Sequence, residues 1–297
     1  MNSYSGKIDR AHVLELEKNL EADGALFLKP QYMIFQARIM DCVISFYESG
    51  KFVVQGKNTD KILEKYFNFE NKPQNGDVLS DIPYPHIGID ESGKGDFFGP
   101  LVIAGVLLDE SGAKYCEEIG IKDSKKLDDK KILELANEIK NNFICNIVTI
   151  GNTRYNELYT KFKNLNRLLA WGHATVLENI LEKKDCSHAI SDKFGDEKFI
   201  LSSLKEKGSK IKLIQETKAE RDMAVAAASI IARAEFVKNI SNLSAKYELE
   251  FPKGASDKVI QKGQIFCDKY GKEELKHVAK LHFKTTESLK VQQGKLF

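Results

Sequence analysis

GIDESGKGDFFGP, residues 88–100, is the stretch on which the reading of this chain turns. It begins inside an apolar run, His86-Ile87-Gly88-Ile89, and two acids, Asp90 and Glu91, follow at once. A Gly93-Lys94-Gly95 turn comes next, and a second apolar run, Pro100 to Leu108, leads away from it. The pattern is two adjacent buried strands with carboxylates at their joint. Hard divalent cations such as Mg²⁺ take carboxylate oxygens and usually keep part of their water. Glycines let a backbone approach a ligand with its N–H groups exposed, and a lysine between them meets a phosphate as a point charge. The bland alternative is a solvated hairpin end whose turn needs glycine. Strand geometry raises an objection to the metal site: neighbours on a regular strand face opposite sides. Both acids then reach one place only if the strand breaks at Ser92-Gly93.

Downstream, strand-like runs alternate with helices. Leu127 and Ile132 bracket Asp128 as a hydrophobic staple around an N-cap, and Leu135 and Ile139 continue that helix. Phe143 to Ile150 reads as a strand, and Leu165, Leu168, Leu169, Val176 and Ile180 stripe a long helix. Ser187–Ser191 and Lys210–Gln215 are short strand candidates, and Met223–Phe236 is an alanine-rich helix. This is an α/β domain around a mixed sheet. Upstream, Val13, Leu16 and Leu20 recur at helical spacing and Gly24 stops them. Tyr32–Ile39, Cys42–Tyr47 and Phe52-Val53-Val54 read as strands, with Glu48–Lys51 as a turn. Ile62, Leu63, Tyr66 and Phe67 mark a second helix. The proline- and glycine-bearing segment Asn71–Pro85 reads as a linker, so the domains are 1–80 and 81–297.

The length of 297 residues suits two domains, at roughly 100–200 residues each. With 42% hydrophobic and 30% charged residues the chain is globular rather than disordered. No run approaches the roughly 18 apolar residues of a membrane span, and Met1–Arg10 lacks the apolar run of a secretory signal. Five cysteines, odd in number and without a CxxC pair, argue against a disulfide framework or a thiolate zinc site and point to a reducing cytoplasm. The net charge of +2 conceals an asymmetry. Residues 1–82 hold ten Lys/Arg against twelve Asp/Glu, whereas residues 251–297 hold ten Lys against five Asp/Glu. A local basic surface serves a polyanionic partner; a solvated lysine-rich helix is the alternative. No HExxH, GxSxG or Walker signature is present, and the absence of a heptad suggests a monomer.

Taken together, these motifs resemble the type 2 ribonucleases H, and specifically the ribonuclease HIII branch. GIDESGKGDFFGPLV at 88–102, KDSKKL at 122–127, AISDKF at 189–194, ETKAE at 216–220 and AVAAASIIAR at 224–233 stand in the family's order, and the resemblance covers essentially the whole chain. Ribonuclease HII normally carries Gly-Arg-Gly where this chain has Gly93-Lys94-Gly95, and usually Asp where it has Glu220. The long N-terminal extension points the same way. The resemblance implies a ribonuclease H-like mixed sheet flanked by helices, an α/β fold. A small α+β domain like the TATA-binding protein precedes it and binds substrate. It also implies that Asp90, Glu91, Asp192 and Glu220 hold two divalent ions, Mg²⁺ or Mn²⁺. The implied reaction is hydrolysis of the RNA strand of an RNA–DNA hybrid, leaving 3′-hydroxyl and 5′-phosphate ends.

Each residue also has its own reading. Asp192 alone would pass as a turn or cap residue. Thr217 and Glu220 match a capping box; the resemblance instead makes Glu220 a metal ligand, with Asp222 as a rival acid. Gly93, Lys94 and Gly95 are candidates for reading the 2′-hydroxyl, the group that separates RNA from DNA. Ser124, Lys125 and Lys126 at a helix start suit a phosphate, with a surface cap as the alternative. Asn164 and Asn166 match the HIII pattern and either contact nucleic acid or cap the next helix. Trp171 and His173 read as packing residues. Gln31, Gln36, Arg38, Lys51, Gln55 and Lys57 offer an N-terminal grip on a backbone; a stabilising appendage is the alternative. Residues 251–256 and 281–286 are placed along the same groove. Competing classes are a non-catalytic hybrid-binding protein and a duplex-DNA scaffold; the close enzymatic runner-up is HII-like cleavage at a single embedded ribonucleotide.

Overall fold

The structure, a computed structural model, describes residues 2–8, 10–67, 79, 82–121, 127–196 and 198–290. The chain divides into two compact units, Met1–Asp77 and Val78–Phe297.

The first unit runs β1 (Asn2–Lys7), α1 (Arg10–Ala22), β2 (Leu26–Leu28), β3 (Met33–Ile39), β4 (Cys42–Tyr47), β5 (Lys51–Gly56) and α2 (Thr59–Phe67). Its strands form one antiparallel sheet in the order β1-β5-β4-β3-β2. Period-two alternation sends Phe35, Ala37, Ile44, Phe46, Phe52 and Val54 to one face, where they pack with Val13, Leu16 and Leu20 of α1 and Ile62 and Tyr66 of α2. The opposite face is polar and aliphatic. Gln36 stands across from Ser45 and Arg38 across from Val43, and Val43 stands across from Gln55. The Gln36 amide donates to Ser45 Oγ at 3.0 Å. The sequence showed neither β1 nor β2. Both are edge strands; NSYSGK is mostly polar and LFL is three residues long, so neither carries a clear alternation.

The second unit runs β6 (His86–Ser92), β7 (Leu101–Leu108), α3 (Glu110–Glu118), α4 (Asp129–Asn142), β8 (Ile144–Ile150), α5 (Asn152–Phe162), α6 (Leu165–Leu181), β9 (His188–Asp192), α7 (Lys198–Leu201), β10 (Lys212–Glu216), α8 (Met223–Tyr247), α9 (Asp257–Tyr270) and α10 (Thr285–Ser288). The sheet order is β10-β9-β6-β7-β8. β6, β7 and β8 pair antiparallel, and β9 pairs parallel with both β6 and β10. All eight residues of β7 are buried, because both faces of the sheet are covered. On one face Leu168, Val176 and Ile180 of α6 meet Ile87, Ile89 and Ile103. On the other, alanines of α8 meet Val102, Ala104 and Val106. The alanine richness of α8 follows from its closeness to the sheet: a Cβ on Gly88 would stand 2.1 Å from the Ala224 carbonyl carbon. Backbone approaches backbone there, and only small side chains leave room.

Asp128 caps α4 as the sequence suggested, accepting from Lys131 N at 2.8 Å. Several helices went unread, α3 and α5 among them. The first, ESGAKYCEE, has too few apolar positions for a stripe, and the second starts at Gly151 without a side-chain cap. α8 runs on to Tyr247, well past the alanine-rich part.

Candidate active site

The strand does not break between the two acids. β6 continues to Ser92, with Asp90 opposite Ala104, Glu91 opposite Ile103 and Ser92 opposite Val102. Asp90 therefore turns towards α8, where Ser229 bonds its carboxylate. Glu91 turns towards α6, where His173 bonds it. The strand does end at Ser92-Gly93, where the sequence argument put the break, but it stays regular through both acids, so the break does not turn them to one face. What opens the site instead is the loss of a neighbouring strand. β9 pairs with β6 only from Ile87 to Ile89, and it ends at Asp192. Beside Asp90 and Glu91 the edge of β6 is bare of that partner, at the carboxyl ends of two parallel strands, where α/β sheets present ligand sites.

Burial pushes the Asp90 carboxyl up to about 7, with the charges of Glu91 and Asp192 adding to the rise against the bonds from Ser229 and the Glu91 N–H. That N–H donates to Asp90 Oδ1 at 2.8 Å. Glu91 goes the other way. Burial would raise its pKa, but His173 and Lys94 outweigh burial and hold it below the usual carboxylate value. His173 Nε2 lies 3.1 Å from Oε2, and Lys94 Nζ donates to Oε1 at 3.2 Å.

Asp192 Oδ1 accepts from Ala219 N at 3.1 Å, which ties the end of β9 to the single turn Ala219–Arg221 bearing Glu220. The helix does not start from the capping-box pattern of Thr217 and Glu220. α8 begins at Met223, and its N-cap is Asp222, which accepts from Val225 N at 3.0 Å. Asp222 also takes His86 Nε2 at 2.9 Å and is 7% exposed. The rival acid is thus engaged in holding the helix start against β6, while Glu220 stays on the turn beside Asp192.

Among the described residues no three His, Cys, Asp or Glu side chains close into a cage around an ion. The donor set nevertheless suits hard divalent cations. Asp90 is a half-buried carboxyl whose ionisation desolvation and its acidic neighbours resist, and a cation beside it would relieve that excess of negative charge.

The two glycines of the turn differ. Gly93 has φ +88°, and a Cβ there would stand 2.2 Å from the Pro100 carbonyl oxygen and 2.8 Å from the Phe236 ring. The fold itself demands that glycine. A Cβ on Gly95 would meet nothing within 4 Å, so no packing reason keeps it bare. Lys94, between them, also lies over the Phe194 ring at 5.7 Å.

The turn is stitched down from below. Gly254 N donates to Asp96 Oδ1 at 2.6 Å, and Phe97 N donates to Gly254 O at 2.9 Å. The fully buried Lys280 donates its Nζ to Asp96 O at 2.8 Å and Gly99 O at 2.6 Å. Burial pulls its pKa down to about 7, against the charge of Asp96. The segment 251–256, read as groove lining, thus braces the turn through Gly254, and Lys280, just before the second such segment, does so as well.

Asn164 caps α6, accepting from Asn166 N at 2.9 Å and Arg167 N at 3.2 Å. Asn166 packs beside Gly195, three residues past Asp192 in sequence. Ser124, Lys125 and Lys126 lie outside the described residues. The helix after them is anchored through Asp129, which accepts from Lys253 Nζ at 2.7 Å and Arg233 Nη2 at 3.3 Å. His173 is the residue the sequence reading undervalued. It is fully buried, and its partner is Glu91. The available signal was a histidine on the otherwise apolar face of α6.

The Ribonuclease HII family model matches residues 87–286, and a domain of unknown function matches residues 7–77. The chain is therefore a nuclease of the ribonuclease H class, with an α/β ribonuclease H-like unit preceded by a small α+β unit like the TATA-binding protein. Ribonuclease HIII of Protochlamydia amoebophila is 42% identical over 95% of this chain and 94% of its own length. That of Chlamydia felis is 43% identical over 91% of each. Among solved structures, Bst-RNase HIII in complex with Mn²⁺ superposes with a TM-score of 0.67 at 28% identity, covering 97% of both chains. Aquifex aeolicus RNase H3 gives 0.57 at 27% identity, covering 95% of this chain and all of that one. The chain belongs to the ribonuclease HIII family.

Proposed function

We propose that this chain hydrolyses the RNA strand of RNA–DNA hybrids, using two divalent ions, Mg²⁺ or Mn²⁺, held by Asp90, Glu91, Asp192 and Glu220. The observation that carries this is Asp90: a half-buried carboxyl at a bare strand edge, its pKa raised by desolvation and by the charges of Glu91 and Asp192. When bound, such a pair of ions supplies an activated water and stabilises the leaving 3′-oxygen in an in-line displacement. The products are 3′-hydroxyl and 5′-phosphate ends.

The chain's own groups do the rest. Ser229 and the Glu91 N–H orient Asp90. Ala219 N orients Asp192. Gly95 leaves its backbone open to a ribose, where the 2′-hydroxyl can be read. Lys94, Asn164, Asn166, Ser124 and Lys125 are assigned to the nucleic-acid backbone. The division of labour is a substrate-binding domain over 1–80 and a catalytic domain over 81–297. Gln36, Arg38 and Gln55 on one face of the N-terminal sheet serve the grip. The protein works as a monomer. The five cysteines are free, which suits a reducing cytoplasm, and among the described residues no helix is long and apolar enough to cross a membrane.

The test is cleavage of a labelled RNA–DNA hybrid with Mg²⁺, Mn²⁺ or chelator, beside an Asp90→Asn variant and a DNA duplex holding one ribonucleotide. Metal-dependent cutting of the hybrid, lost in the variant, supports the proposal. Preferential cutting at the single ribonucleotide moves the specificity to the HII type. A folded protein that binds hybrid and cuts nothing is a binding module.

A further inference from the structure

Glu91 has two carboxylate oxygens and two unlike partners. Oε2 faces His173 Nε2 at 3.1 Å, and Oε1 faces Lys94 Nζ at 3.2 Å. The His173 side chain is 0% exposed and sits within α6. The Lys94 side chain is 38% exposed, on a turn between two glycines. A carboxylate that takes up a cation must offer it an oxygen, and the partner able to leave is the one on the flexible, solvated side chain. The other partner is held twice. Ser191, itself fully buried, brings its hydroxyl within 3.2 Å of His173 Nδ1 and within 3.0 Å of the Asp192 carbonyl oxygen. The Phe194 ring packs on the imidazole at 4.7 Å. Nε2 faces the carboxylate and Nδ1 faces the Ser191 hydroxyl, whose own hydrogen is donated to the Asp192 carbonyl oxygen. The imidazole so placed links the strand end that carries Glu91 to the strand end that carries Asp192.

We infer that His173, seated on Ser191, is the positioning residue that fixes Glu91 through Oε2, and that Lys94 is the exchangeable partner on Oε1, displaced when a divalent cation binds. This rests on the assignment of Glu91 as a metal ligand. Hydrogen-bond partners behind a metal ligand commonly account for about 10–100-fold in metal affinity. Once displaced, the Lys94 ammonium would be free to meet a phosphate as a point charge.

The experiment is Mn²⁺ titration of the full chain by calorimetry, without nucleic acid, on wild type and on Glu91→Gln, His173→Gln, His173→Asn, Ser191→Ala and Lys94→Met. The Gln amide nitrogen falls near the position of Nε2, whereas that of Asn falls near Nδ1. His173→Gln is therefore expected to keep Mn²⁺ affinity within about threefold of wild type. His173→Asn is expected to lose about 10–100-fold. Ser191→Ala should weaken binding in the same direction by less, and Lys94→Met should tighten it. Near-wild-type Mn²⁺ affinity in His173→Asn overturns the inference, as does equal loss in His173→Asn and His173→Gln. Weaker binding in Lys94→Met overturns the exchange. Glu91→Gln separates the failures: if it binds Mn²⁺ as wild type does, the assignment of Glu91 is wrong, and the inference falls with it. Ser191→Ala leaves His173 in place and carries the test if a His173 variant does not fold.

Discussion

Replacing each glycine of the Gly93-Lys94-Gly95 turn by alanine separates what the fold requires from what the substrate requires. At Gly93, φ is +88° and the new Cβ would stand 2.2 Å from the Pro100 carbonyl oxygen. The left-handed backbone costs alanine roughly 1–2 kcal/mol. The contact is with backbone, so no rotamer relieves it, and the forced shift adds about 1–3 kcal/mol. For a unit of this size that corresponds to a fall in Tm of roughly 5–15 °C. At Gly95 the Cβ meets nothing within 4 Å and φ is not in the left-handed region. Stability should hold or rise by about 0.4–1 kcal/mol, since alanine narrows the unfolded ensemble. If the Gly95 backbone meets the ribose, the methyl group intrudes there and breaks a hydrogen bond, leaving a polar group unpaired at about 1–3 kcal/mol. The loss in kcat/KM on a hybrid is then roughly 5–150-fold. Thermal melts and initial cleavage rates on the two variants measure both quantities. A Gly95→Ala protein that melts normally and cuts hybrid at the wild-type rate would remove this turn from the substrate site.

Other outcomes follow from the same structure. The folded pKa of Asp90 lies above its unfolded value, so its contribution to stability is present below about pH 4 and is lost as pH rises through about 7. Melts of the metal-free protein should therefore show a falling Tm across that window, a fall that Asp90→Asn flattens and Mg²⁺ or Mn²⁺ opposes. Asp222→Ala removes the cap of α8 and strands the buried His86; about 2–4 kcal/mol of stability should go in a denaturant titration. Glu220→Gln, by contrast, keeps the cap of α8 and the partner of His86 and should lose hybrid cleavage. A normal melt for Asp222→Ala with lost activity would exchange the two assignments. Arg38→Ala and Lys51→Ala, at exposed positions of the N-terminal sheet, should each weaken hybrid binding and lower the slope of log affinity against log salt by about one, with kcat unchanged. Unaltered salt slopes would take this domain out of the grip.

The periodic elements were legible because hydrophobic period is set by local geometry. Gly88–Pro100 announced two buried strands, and Leu168, Val176 and Ile180 announced α6, since burial leaves its mark on the residues themselves. β1 is mostly polar and β2 is three residues long, so neither carries a readable alternation, which is why they were invisible. The candidate site was legible in its residue types and illegible in its geometry. Nothing in GIDESG says that β9 stops pairing at Ile89, because the length of a strand pairing is decided by the partner. The same holds for Glu220 and Asp222. Sequence spacing offered a capping box at the first; the helix took the second as its cap, because His86 of β6 reaches Asp222 from 136 residues away.

His173 makes the physical point most fully. On a helix wheel it belongs to the buried stripe of Leu169, Val176 and Ile180, and a lone histidine there is an ordinary core residue. Its meaning depends on what stands opposite, and Glu91 faces α6 only because β6 stays regular beyond Asp90. A broken strand would have gathered both acids on one face and left the imidazole without a carboxylate. The unbroken strand divides the work. Asp90, turned to α8, meets Ser229 and carries a carboxyl raised to about 7 by burial first and then by its acidic neighbours. Glu91, turned to α6, meets His173 and Lys94 and stays readily ionised although burial opposes it. Two adjacent acids of the same chemistry are thus driven apart by the two faces of one sheet. One keeps its charge through the protein's own cations and donors, and the other is left with charge that a metal ion would balance.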